Sequence, residues 1–150
     1  MQTKLLNDDQ EKTYAVIYDK GDEFIAELKR FAEKQGLSSA RFTAVGAFSD
    51  IILQYFQRDK KEYKDIPVEE QVEVLTLTGD IALTPEGKPE VHAHVVLGKS
   101  DGTAIGGHIK QAHVWPTLEL VLTEYPDYLQ KRTDPETGLT LIDLDAHQVR

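Results

Sequence analysis

With 26 acidic side chains against 17 basic ones, this 150-residue chain carries a formal net charge of −9, a balance that repels phosphate backbones at long range. It has no cysteine, which excludes disulfides and thiolate metal sites and fits a reducing compartment. A chain of this length buries roughly 68–70% of the surface it exposes when unfolded, enough for a core without covalent staples, and is too short for two comfortable domains.

At the start of the chain, Met1 to Gln10 has no apolar run of the kind a signal peptide needs. No later stretch approaches the ~18 apolar residues of a membrane span, so residues 1–150 read as one cytoplasmic domain. Thr13 to Tyr18 is β-branched and aromatic, which suits a strand. Lys20-Gly21 makes a turn, and Asp22 stands where an N-cap belongs. Phe24, Ile25, Leu28, Phe31 and Ala32 recur at helical spacing, which predicts one amphipathic helix over Glu23 to Gln35. Gly36 falls where helices end in a left-handed residue.

The rest of the chain reads as β structure. Ala40 to Phe48 and Ile51 to Arg58 form two runs divided by Ser49-Asp50, a turn or bulge. Gln71 to Leu83 sets Val72, Val74, Leu75, Leu77 and Ile81 among Glu73, Thr76, Thr78 and Asp80, with Asp80 read as a strand-end turn residue. Pro85-Glu86-Gly87-Lys88-Pro89 turns the chain into a strand from Val91 to Leu97, and Ser100-Asp101-Gly102 turns it again. Thr103 to Ile109 and Thr117 to Thr123 are further strands, and a last hairpin turn at Asp134 to Gly138 precedes the apolar run Leu139 to Leu144. One helix among many short strands predicts an α+β domain with a mostly antiparallel sheet.

Histidines carry the chemistry. His92 and His94 lie two apart on a predicted strand, so both side chains leave the same face. His108 follows Gly106-Gly107 after a turn that returns the chain antiparallel. Three imidazoles converging in this way match a catalytic-type zinc site with one position left for water. Neutral imidazole equally suits iron, copper or nickel, and the same pattern fits a solvated strand face. Gly106 and Gly107, having no side chains, allow backbone or ligand to come close. His113 is a candidate fourth ligand, and His147 reads as a surface residue. Glu73 and Glu119 interrupt apolar strands. They either face solvent on alternating positions or stand against the metal as an additional ligand, a base or a supporting carboxylate. Gly102 to Gly107 lacks the strand-then-helix setting of a nucleotide-binding loop.

Several pieces in fixed order resemble the PPC (plants and prokaryotes conserved) domain family between about Tyr14 and Thr123. They are Gly21-Asp22-Glu23 at the helix start, Ala44-Val45-Gly46-Ala47 followed by Gln54-Tyr55-Phe56, and the strand Val72 to Gly79. His92 to His94, Gly106-Gly107-His108 and the Thr117-x-Glu119 strand complete the series. The resemblance implies an α+β fold assembled as a homotrimer, with a divalent metal, often zinc, on the three histidines. Plant members join this domain to a DNA-gripping hook, and prokaryotic members are labelled as DNA-binding by analogy. No Arg-Gly-Arg-Pro hook occurs here, and the basic pairs Lys29-Arg30, Lys60-Lys61 and Lys131-Arg132 are scattered among acidic neighbours.

Three functions compete at this level. The first is a metal-dependent small-molecule binder or enzyme on His92, His94 and His108. The second is a DNA-associated or transcription-regulatory interaction module, which requires salt-dependent binding despite the acidic charge. The third, a cupin-like barrel, wants a glutamate soon after His94, where Val95, Val96, Leu97 and Gly98 stand instead. The residues alone do not separate structure, sensing and catalysis.

Overall fold

The computed structural model describes residues 1–7, 11–125 and 129–145. In chain order these contain β1 (Gln2–Asn7), β2 (Thr13–Tyr18), α1 (Phe24–Gln35), β3 (Ser39–Gln57), β4 (Glu62–Val68) and β5 (Val72–Leu83). β6 (Pro89–Gly98), β7 (Ala104–Glu124), β8 (Gln130–Thr133) and β9 (Thr140–Asp143) follow. The strands join in one sheet whose pairings are antiparallel apart from a single β5–β8 contact, so the predicted α+β class holds. No described helix is long and apolar enough to cross a membrane.

The helix forms as its spacing predicts, burying Phe24, Leu28, Phe31 and Ala32 along one stripe. Its cap is Glu23 rather than the expected Asp22. The longer Glu23 side chain folds back to accept from the Ile25 and Ala26 amides. Asp22 is already engaged, taking the Asp19 amide at 2.9 Å and the Met1 ammonium at 2.9 Å. Gly36 ends the helix in the left-handed region, with φ of 67°.

Phe24 sits at the centre of the helix–sheet contact, 5.7 Å from the Tyr18 ring and 6.2 Å from those of Phe42 and Phe48. Tyr14 meets Phe31 edge-on at 5.2 Å. Aromatic pairs at these separations add to what burial alone contributes.

Of two expected divisions, the one at Ser49-Asp50 is the bulge and not the turn, and β3 runs unbroken through the register shift there. β7 likewise joins the two strands expected at residues 103–109 and 117–123. The reason is non-local. β3 and β7 pair from Ala40 opposite Glu124 to Gln54 opposite His108, and the ladder carries both strands through their bulges. β4 escaped the sequence reading because it is an edge strand, paired to β3 and bearing Glu62, Lys64 and Asp65. β1, paired among the described residues to β2 alone, was missed for the same reason.

Pairings of β3 with β5, β5 with β6, β6 with β7 and β7 with β3 close a ring of four strands. Buried Leu53, Val74, Leu97 and Ile109 from these strands belong to the same continuous core as the helix stripe. The ring sets β6 between β5 and β7, which positions the site. Beside β5, the β8–β9 hairpin is held by the Leu83 amide donating to the Leu129 carbonyl at 2.8 Å.

Candidate metal centre

Local pairing brings the three predicted histidines together. Counting outward from the turn at Pro85 to Pro89 places Asp80 opposite His92 and Thr78 opposite His94. The next turn places His108 opposite His94. The His92 and His94 rings lie 5.1 Å apart, and the His108 ring lies 5.3 Å from His92 and 5.4 Å from His94. One nitrogen from each ring falls within 4.8 Å of the others.

The electrostatics suit ligation. Burial, reinforced by His92 and His94, pushes the His108 imidazole down to about 4. Burial and the neighbouring His92 also hold His94 below its ordinary value. Both rings are therefore neutral near pH 7 and carry a lone pair, the form a metal requires. The His108 Nδ1 is buried without a hydrogen-bond partner among the described residues, a cost that a cation bound at that nitrogen would remove. The donor set fits a borderline divalent ion such as zinc.

Asp80 is not a strand-end turn residue. It lies within β5, directly across from His92, and its Oδ2 is 3.2 Å from His92 Nδ1. With Nδ1–H donating to that carboxylate, the lone pair is left on Nε2, the arrangement that orients metal-ligating histidines. The count across the turn was the sequence signal for this partner. Tyr63 was also missed, because β4 was missed. Its ring stacks on His108 at 5.2 Å with 27° between planes, and burial raises its phenol.

Other candidates lie elsewhere in the chain. Glu73 is exposed on β5 opposite Gly98. Glu119 is exposed on β7, opposite Ile17 and Val45. His113 bonds through Nδ1 to Asp50 at 2.7 Å, and Ser49 donates to the same carboxylate at 2.8 Å. None of these three belongs to the histidine group, and His147 lies outside the described residues. Gly106 and Gly107 serve backbone approach: a Cβ on either would press on the Val95 or Gln54 carbonyl oxygen.

A supporting role for Asp80 has a direct consequence. Asp80→Asn removes the charged acceptor and is expected to weaken zinc binding by about 10–100-fold, read by competition with a chelating dye. An affinity within twofold of wild type would leave Asp80 without this role.

A largely antiparallel α+β sheet that offers three histidines from the two strands of one hairpin, β6 and β7, defines the class. Residues 6–126 match the Plants and Prokaryotes Conserved (PCC) domain, and the chain belongs to that family, the one its motifs resemble. A plant- and prokaryote-conserved (PPC) protein from Pyrococcus horikoshii is 31% identical with a TM-score of 0.82, the match covering 95% of this chain and 94% of that one. The metal-containing protein AF0104 from Archaeoglobus fulgidus is 28% identical with a TM-score of 0.81, covering 94% and 96%. A candidate DNA-binding protein from Bacteroides thetaiotaomicron is 25% identical with a TM-score of 0.85, covering 96% and 99%. A comparison with curated proteins finds no match.

Proposed function

We propose that this protein holds a divalent metal, zinc first, on His92, His94 and His108 and uses it to bind or transform a small molecule. The observation that carries this reading is the convergence of three imidazoles on neighbouring strands, with His92 braced by Asp80. The 28% identity to a metal-containing archaeal protein supports it. A three-histidine zinc supplies a Lewis acid or a bound hydroxide at its open position. Around it, Asp80 fixes the His92 ring and Tyr63 covers one face of His108. Elemental analysis tests the reading. About one ion per chain supports it, and protein that stays metal-free after reloading with zinc overturns it.

A second reading, a DNA-associated interaction module, draws on the Bacteroides relative. The net charge of −9 opposes it. Absence of any mobility shift at low salt would end it.

The assembly we propose is a homotrimer. The sheet face opposite α1 exposes Val45, Leu75 and Val121 by 57%, 56% and 48%. With Ala15 and Ile17 they line a shallow apolar groove around Glu119. Contiguous apolar surface of this kind marks an interface, and a second copy of the chain is the occupant consistent with the family resemblance. Light scattering on wild type should give three times the chain mass, and Val45→Glu with Val121→Glu should reduce it to one. A monomeric wild type at micromolar concentration would refute the assembly.

A further inference from the structure

A cavity of about 440 Å³ opens directly beside His92 and His108, within the roughly 300–1,000 Å³ typical of small-molecule sites. One of its walls is the β8–β9 hairpin, which contributes Lys131, Leu139, Leu141 and Ile142. This hairpin lies beyond the 6–126 span that matches the family. Asp80 and Tyr63 line it as well.

Lys131 is the informative residue. It is only 5% exposed, and its ammonium donates to Glu90 at 2.9 Å. The same Glu90 oxygen also faces the Thr140 hydroxyl at 3.3 Å. An ammonium carries three donors, and among the described residues Lys131 directs one of them to Glu90. A buried cation with donors to spare, lining a cavity, is a built site for an anion.

The charge balance then states when an anion enters. Asp80 and Glu90 against Lys131 leave the carboxylates and ammonium of the cavity with one net negative charge. A divalent ion on the histidines reverses this to one net positive charge. Ile142, which lines the cavity directly across the hairpin from Lys131 and so on the same face, favours an apolar remainder on the ligand.

We propose that the cavity binds a small monocarboxylate with a short aliphatic end, its carboxylate toward Lys131 and its aliphatic end against Ile142 of the same hairpin, and that it does so only when the histidines hold a metal. This rests on the metal reading above and names its ligand class. The hairpin is then the element that selects the ligand.

The test is calorimetric titration of 4-methylpentanoate into zinc-loaded and metal-free protein, with 4-methylpentanamide as the uncharged counterpart and zinc content measured on every sample. Loaded wild type should bind the acid, and metal-free protein and the amide should bind at least about tenfold more weakly. Lys131→Met should keep its zinc and lose about tenfold in affinity for the acid. Ile142→Asp, directly across the hairpin from Lys131 and at a position 42% exposed, should lose a similar factor by placing a carboxylate in the aliphatic wall. Wild type that holds zinc but ignores the acid overturns the proposal and leaves the metal reading standing. So does undiminished binding in both variants, or equal binding of the amide. Wild type that takes up no zinc overturns both.

Discussion

Replacing His108 by alanine is expected to abolish high-affinity zinc binding while the protein stays folded. The side chain is half-buried between Tyr63 and the other two imidazoles, so its loss removes one of three donors and leaves a gap on β7. At a zinc concentration 100 times the dissociation constant, binding stabilises the folded state by about 2.7 kcal/mol. For a chain of this size that is a rise of roughly 5–10 °C in Tm. Wild type should show this shift, His108→Ala and His92→Ala should not, and His113→Ala should behave as wild type because its ring is engaged by Asp50. The starting state favours capture: burial keeps His108 unprotonated down to about pH 4, so no proton has to leave it at neutral pH. Full zinc binding by His108→Ala would remove the central claim.

Phe24→Ala is expected to produce the largest loss of stability from a single side chain. Phe24 is fully buried, touches the rings of Tyr18, Phe42 and Phe48, and is the first residue of α1. Removing a buried phenylalanine costs about 3–5 kcal/mol, because the lost transfer energy is joined by that of the cavity left behind. The expected drop in Tm is roughly 6–20 °C. Tyr55→Ala, at a position 66% exposed, should stay within about 0.5 kcal/mol of wild type. Guanidinium unfolding of both variants checks the pair. A Phe24→Ala cost below about 1 kcal/mol would mean that α1 is not docked as described.

The two cases differ in how visible they were in the chain. Phe24 belongs to a periodic stripe, and periodicity is a local property that survives in sequence. The histidines were visible as a pair two residues apart plus a third behind two glycines, since strand alternation and a short return turn are also local. Glu73 and Glu119 drew attention as charges inside apolar strands, and on the chain itself they occupy exposed alternating positions. Asp80 was misread because its role exists only across the β5–β6 ladder.

The sequence by itself determined the helix and its left-handed end at Gly36, the antiparallel α+β class, and the three histidines as one group. Each of these depends on side-chain periodicity, turn chemistry or a short hairpin, which are set by residues close along the chain. Only the tertiary structure decided the merging of β3 and β7 into long paired strands and the closure of the four-strand ring. The same holds for Tyr63 lying over His108 and for Lys131 reaching the cavity from the β8–β9 hairpin. These contacts join residues distant in sequence, where edge strands carry a weak pattern and the partner of each ladder is chosen by the packing of the whole sheet.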